Sequence, residues 1–276
     1  MIQTRERKAE FVRLFDKTAP GVICPHFHEL ILSNGCPFNC DYCYLKLTFR
    51  GKKSPVLFSN DWSQVQRQLD ASGDGVFSTG ELADSLAVIP PLFNGAMEYF
   101  SSQTGKYLLL VTKSINTHAL LKMGPCRQVV VSFSVNSPAA AKAYEHGAPA
   151  PAERLDAAKE LVDAGWRVRI RLDPIIGEMD LHDYEDICRQ IGQSQFERVT
   201  VGTLRQYPGL HNYAKTAPRL GLRKAPDGRM RYPVEDRVTI YRQIADWLGS
   251  RPALCKETEE LWARLGWDFQ GCNCTL

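Results

Sequence analysis

The sequence lacks any run of eighteen apolar residues, so no segment has the length of hydrocarbon that a membrane-crossing helix requires. It also lacks an N-terminal stretch with the charged start, apolar centre and small-residue end of a secretion signal. The expectation is a soluble, cytoplasmic protein with no membrane partner. An excess of one charge is missing as well: Lys and Arg total 34 against 31 Asp and Glu, and the net charge of +3 is too small by itself to indicate nucleic acid. No internal repeat or low-complexity segment is apparent.

Cysteine, by contrast, is present nine times in 276 residues. In a reducing compartment, thiols point to metal binding or catalysis before disulfides. Three of them, Cys36, Cys40 and Cys43, crowd into "SNGCPFNCDYCYLKL", with no fourth cysteine and no histidine close behind; the next cysteine is Cys126. A structural zinc site wants four closed ligands, usually as two close pairs, so zinc here would need a ligand from far along the chain. A cubane iron-sulfur cluster held by three thiolates keeps one iron without a protein ligand, and that iron can bind a small molecule.

Apolar runs alternate with helix-like stretches. Strands are predicted at 27–34, 75–80, 106–114, 128–136, 167–176 and 198–205, rich in Val, Ile and Leu as parallel strands covered on both faces are. Helices are predicted between them, with Asn60 capping the first and Gly165 ending the one that contains Leu155, Ala158, Leu161 and Val162. Six strand–helix units are fewer than the eight of a closed barrel. The predicted fold is therefore α/β, a partial (β/α)6 barrel over residues 26–250, with an N-terminal segment 1–25 and a cysteine-containing C-terminal extension 251–276.

Within "RVRIRL", Arg167, Arg169 and Arg171 share one face and Val168, Ile170 and Leu172 the other. The apolar set belongs against helices, so the arginines point into the barrel, where buried cations require anionic partners; Arg171 is the first choice for a ligand. Lys113 closes the third strand, and Ser134 and Asn136 close the fourth. A lysine suits a carboxylate, a hydroxyl and an amide suit a ribose, and snorkelling and strand-end capping are the competing roles.

The CxxxCxxC spacing, the aromatic Tyr42 before the last cysteine and the position after the first barrel strand resemble the radical S-adenosylmethionine (SAM) superfamily. The resemblance implies a 4Fe-4S cluster on Cys36, Cys40 and Cys43. It also implies SAM chelated to the open iron and cleaved reductively to a 5'-deoxyadenosyl radical, with the electron from a donor such as flavodoxin or ferredoxin. It implies cofactor contacts from Tyr42, from "STGE" (Ser78, Thr79, Gly80, Glu81), from Lys113, Ser134, Asn136 and Arg171, and an adenine contact from Ile175.

More narrowly, "GCPFNCDYCYL", "LLLVTKS", "SFSVNS", "DAAKELVDAGW" and "RMRYP…IYRQ" resemble the spore photoproduct lyase family over roughly residues 30 to 245, whose members reverse a thymine–thymine photoproduct in DNA. Tyr42 and Tyr44 match tyrosines beside the cluster in that family, and the basic stretch Lys215–Arg231 matches its DNA-facing hairpin; a solvated loop is the other reading of that stretch. At the position of Ser78 the family has the cysteine that returns hydrogen to the substrate radical, which a strong serine O–H bond cannot do. The sequence thus points to hydrogen abstraction from an unidentified small-molecule or nucleic-acid-derived substrate. The alternatives are a pyrimidine-photoproduct repair lyase with another donor, among Tyr44, Cys272 and Cys274, and a non-enzymatic iron-sulfur sensor. Cys255, Cys272 and Cys274 are also candidates for an auxiliary cluster. Cys24, Cys126 and Cys188 read as core or incidental thiols.

Overall fold

The computed structural model describes residues 2–52 and 54–276. One sheet dominates, made of β1 (Val12–Phe15), β2 (Phe27–Leu30), β3 (Gly75–Ser78), β4 (Lys106–Thr112), β5 (Val129–Val135), β6 (Arg167–Ile175), β7 (Arg198–Thr203) and β8 (Ala253–Leu254). Its spatial order follows the chain from β1 to β8. All neighbours are parallel except the antiparallel β1–β2 edge. Strands β2 to β7 are the six predicted units of the open α/β barrel. The edges β1 and β8 come from the segments flanking residues 26–250. No helix among the described residues is long and apolar enough to cross a membrane.

The helices are α1 (Leu45–Thr48), α2 (Trp62–Asp70), α3 (Phe93–Ser101), α4 (His118–Met123), α5 (Pro138–Tyr144), α6 (Pro151–Asp163), α7 (Glu185–Gly192), α8 (Val234–Leu248) and α9 (Glu259–Leu265). The cap of α2 is Asp61, which accepts from the Ser63 amide, one residue beyond the expected Asn60. Asn60 instead ties the N-terminal segment down, accepting from the Arg7 amide and donating to the Arg7 carbonyl.

Two-residue periodicity sorts the strands into an outer and an inner face. Leu108, Leu110, Val131, Phe133, Val168, Ile170, Leu172 and Val201 pack outward in the main core with the helices. The inner set is different: Val76, Leu109, Val111 and Val130 form a small apolar cluster with Phe27. Beside it stand polar side chains in layers, set by the register Ser132–Arg169–Arg198 below and Ser134–Arg171–Thr200 above. The arginine alternation of β6 thus reads as predicted.

The barrel floor is filled by the C-terminal segment. Arg169 Nη1 donates to the Asn273 carbonyl at 2.7 Å and the Thr275 carbonyl at 2.6 Å. Arg198 Nη1 donates to the Cys272 carbonyl at 2.7 Å, and Ser132 Oγ to Asn273 Oδ1 at 2.7 Å. Glu197 supplies the counter-charge, pairing with both Arg167 and Arg169. A buried arginine must have its donors satisfied, and here backbone carbonyls of the tail do much of that.

Candidate active site

The three-cysteine loop joins β2 to α1 at the C-terminal ends of the strands, where barrel enzymes place their chemistry. It is clamped from below: Asn39–Cys40 pairs antiparallel with Glu145–His146, and the Asp41 amide donates to the Tyr144 carbonyl at 2.8 Å. The buried Asp41 carboxylate takes Lys46 Nζ at 2.9 Å and approaches His146 Nε2 at 3.1 Å. Cys36, Cys40 and Cys43 all open on one cavity of about 220 Å³, together with Gly80, Lys113, Ser134, Arg171 and Asp173.

That donor set fits a cluster better than a single ion. No three His, Cys, Asp or Glu side chains among the described residues converge to hold one metal ion. Burial pushes the Cys40 thiol up to about 12, so it remains protonated unless a strong positive charge sits beside it. Three thiols facing one cavity are the arrangement a three-thiolate cluster needs.

Glu145 organises the wall beneath. Its carboxylate accepts from Tyr42 Oη and from Asn136 Nδ2 (3.2 Å), pairs with Arg154 Nη2 (2.6 Å) and lies 3.9 Å from Lys113 Nζ. Burial raises its pKa, but Lys113 and Arg154 outweigh that, and the group is held below the ordinary carboxylate range. Arg154 in turn donates to the Ser134 carbonyl at 3.1 Å. One buried anion therefore fixes Tyr42, Lys113, Asn136 and the Ser134 backbone together.

A second cavity, about 440 Å³, continues from the first through shared walls of Tyr42, Tyr44, Gly80, Arg171 and Arg205. Its further lining includes Glu29, Glu81, Tyr207 and Lys256 and four cysteines, Cys24, Cys255, Cys272 and Cys274. Between the chambers, Asp173 bridges Arg171 (2.6 Å) and Arg205 (2.8 Å). Burial would raise the Asp173 pKa, yet the two guanidiniums carry it well below the usual range. Both arginines also point at Cys255 Sγ, at 3.8 and 3.5 Å.

Cys272 and Cys274 stand two residues apart on the anchored tail, and both line the larger cavity. The interaction with Cys274 lowers the Cys272 pKa against the cost of burial, and Arg171 and Arg198 lower it further. The same interaction, together with burial, raises the Cys274 pKa well above its ordinary value.

The expected residues divide accordingly. Cys36, Cys40, Cys43, Lys113 and Ser134 line the upper cavity, Tyr42, Tyr44, Gly80 and Arg171 both, and Glu81, Cys272 and Cys274 the lower one. Asn136 lies behind the wall, accepting from the Tyr184 hydroxyl at 2.8 Å while it donates to Glu145. Ser78 has the inward parity of its register partner Glu29 but is 1 % exposed, and its hydroxyl accepts from the Gly80 amide at 3.3 Å. Thr79 bonds to Ser85.

Ile175, expected at adenine, is instead fully buried in the main core. The register of β6 against β7 shifts between Leu172 and Ile175, which brings Pro174 to the cavity and turns Ile175 off the face it would share with Arg171. Asp173 keeps the face of Arg171 by simple alternation and gives it a protein carboxylate as its partner, where a cofactor anion was expected. Cys24 is a correction too: read as incidental, it lines the lower cavity, whereas Cys188 is buried in the core as expected. Glu145, Asp173 and Arg205 were missed, since each acts through partners distant in sequence; only the acidic residue inside "RLDP" offered a signal.

Fold and cavities define an open α/β barrel with a three-thiol chamber at the strand ends and a larger chamber below it. The chain belongs to the spore photoproduct lyase family, whose model matches residues 15–245. It is similar to the spore photoproduct lyase of Clostridium acetobutylicum (strain ATCC 824), 22% identical over 233 residues that cover 78% of this chain and 65% of that protein. A second relative, spore photoproduct lyase of Geobacillus sp. (strain Y412MC61), is 23% identical over 230 residues, covering 78% and 64%. The chain thus matches slightly less than two thirds of the length of these relatives. Among solved structures, spore photoproduct lyase complexed with dinucleoside spore photoproduct superposes with a TM-score of 0.71 at 18% identity, over 92% of this chain and 81% of that one. Streptococcus suis SuiB bound to S-adenosylmethionine gives 0.55 at 13% identity, over 85% and 51%. At these identities the structural likeness establishes the fold.

Proposed function

We propose that this chain is a radical SAM enzyme that reverses a thymine–thymine photoproduct in DNA. Cys36, Cys40 and Cys43 hold a 4Fe-4S cluster, SAM occupies the upper cavity, and the photoproduct enters the lower one. When bound, cluster and cofactor supply a 5'-deoxyadenosyl radical, with the electron from a flavodoxin- or ferredoxin-type donor. Lys113 and Ser134 meet the polar groups of the cofactor, Gly80 lets the chain pass tightly over the Val111 side chain, into which a Cβ would run, and Tyr42 is kept in place by Glu145. Asp173, with Arg171 and Arg205, braces the charged part of the wall that the two chambers share.

The single observation that carries this reading is that the two cavities adjoin, with Tyr42, Tyr44, Gly80, Arg171 and Arg205 lining both. A substrate held in the larger cavity would lie next to a cofactor held in the smaller one. Family membership and the similarity to a lyase crystallised with the dinucleoside favour the photoproduct over other substrates.

On the rim, Arg223–Lys224 pairs with Met230–Arg231 as the expected hairpin. Arg231 is turned inward to Asp227 and Glu257, and Arg229 lies over the Tyr207 ring, which leaves Arg223 and Lys224 exposed for phosphates.

Anaerobic reconstitution followed by reduction in the presence of SAM and dinucleoside spore photoproduct tests the reading. It should release 5'-deoxyadenosine and thymine product together, and a fully loaded cluster that yields neither would overturn it.

A further inference from the structure

The proposed reaction leaves a carbon radical on the substrate, and a hydrogen atom must close it. Ser78 is ill suited: its O–H bond is strong, and its oxygen is buried against the Gly80 amide. Four thiols line the substrate chamber instead, and their surroundings separate them. Cys255 Sγ is already engaged by the guanidiniums of Arg171 and Arg205, at 3.8 and 3.5 Å. Cys24 turns its thiol to the Pro25 carbonyl at 3.9 Å. Cys274 and Cys272, two residues apart on one anchored segment, face the chamber together, and the Cys274 side chain packs on the inner apolar cluster.

We propose that the Cys272–Cys274 dithiol is the hydrogen donor, with the atom carried on Cys274 and its loss eased by the sulfur of Cys272. This rests on the functional reading above. In the step, the Cys274 S–H bond breaks homolytically as a C–H bond forms on the substrate radical, and no charge moves. The electron-deficient sulfur that remains is shared with the electron-rich Cys272 sulfur beside it. One electron from the flavodoxin- or ferredoxin-type donor and one proton from water then restore the thiol.

The anchoring of this segment supports a chemical role. Cys272 and Asn273 are buried, at 7 and 1 % exposure. Three inward side chains from three strands, Ser132, Arg169 and Arg198, hold their backbone and amide. The Cys274 side chain packs on the inner apolar cluster of Phe27, Val76, Leu109, Val111 and Val130. Two thiols are thereby presented from the barrel floor to the substrate chamber, dry on one side and open on the other. Cysteine packed this way keeps a fixed reach, which a hydrogen-atom transfer over bond-length distances requires.

Two experiments on the full chain test the assignment. In the reconstituted enzyme, turnover of dinucleoside spore photoproduct in D2O should place one deuterium on the thymine product. Cys274→Ala should lower that incorporation at least tenfold while 5'-deoxyadenosine release persists; Cys126→Ala, outside both cavities, should leave it unchanged. Cys274→Ser, nearly isosteric, separates lost chemistry from lost folding and should behave as the alanine variant does. Photoproduct consumed with undiminished deuterium in both Cys274 variants overturns the dithiol alone. Release of 5'-deoxyadenosine without photoproduct loss overturns the substrate reading and the dithiol's role with it.

In the cluster-free chain, a thiol–disulfide redox titration read by differential alkylation should oxidise Cys272 and Cys274 to one another, with Cys24 and Cys255 still alkylatable. Pairing of either tail cysteine with Cys24 or Cys255, or none, would contradict the geometry.

Discussion

Asp173 is a buried carboxylate between two guanidiniums, and its removal leaves two cations facing each other without a counter-charge. Breaking such a pair costs about 3–5 kcal/mol. Asp173→Asn should lower the unfolding free energy by about that amount, measured by denaturant titration at pH 7. The pH dependence follows from the depressed pKa. The unfolded carboxylate titrates near about 4, the folded one below that, so the stabilisation is complete above the unfolded value and drains away as pH falls toward the folded one. The gap between wild type and Asp173→Asn should therefore narrow in acid, and a gap constant down to pH 2 would refute the ion-pair account. At this scale the sequence was informative where chemistry is local. Cys36, Cys40 and Cys43 announce themselves by spacing, and Arg171 by alternation. Glu145 and Arg205 do not: their roles come from partners such as Tyr42 and Asp173, brought near only by barrel closure.

The C-terminal segment is an element without regular structure whose conformation is nonetheless tightly specified. Gly271 has φ +109°, and a Cβ there would stand 2.6 Å from Thr275 Oγ1 and 3.2 Å from Arg198 Cζ. Gly271→Ala combines that clash with a backbone strain of about 1–3 kcal/mol. The tail should loosen, and Cys274 in the cluster-free chain should react with a small alkylating agent roughly tenfold faster, since 1.4 kcal/mol corresponds to about a factor of ten; an unchanged rate would contradict the plug. The rim hairpin makes a separate prediction. Arg223→Ala with Lys224→Ala should weaken DNA binding alike for damaged and undamaged duplex and reduce the salt slope by about 1 to 2. A loss confined to damaged duplex would assign the pair to lesion recognition. The hairpin and helices were legible from turn residues and periodicity. The tail was not, because its order derives from Arg169 and Arg198 on distant strands, and the register shift of β6, invisible to a two-residue pattern, moved Ile175 out of the site.

At the scale of the whole molecule, the strand alternation predicted an open barrel, and the structure is one: outward faces packed by helices, inward faces running from a filled floor past a cavity of about 440 Å³ to the cysteine loop. The account rests on the claim that three thiolates hold a cluster with one iron open to the cofactor. Electron paramagnetic resonance of the reconstituted, reduced chain, recorded with and without SAM, tests this most directly. The account predicts a reduced 4Fe-4S signal whose g-values shift on adding SAM and which is lost in Cys40→Ala; a signal indifferent to SAM, or a single bound zinc with no cluster signal, would contradict it.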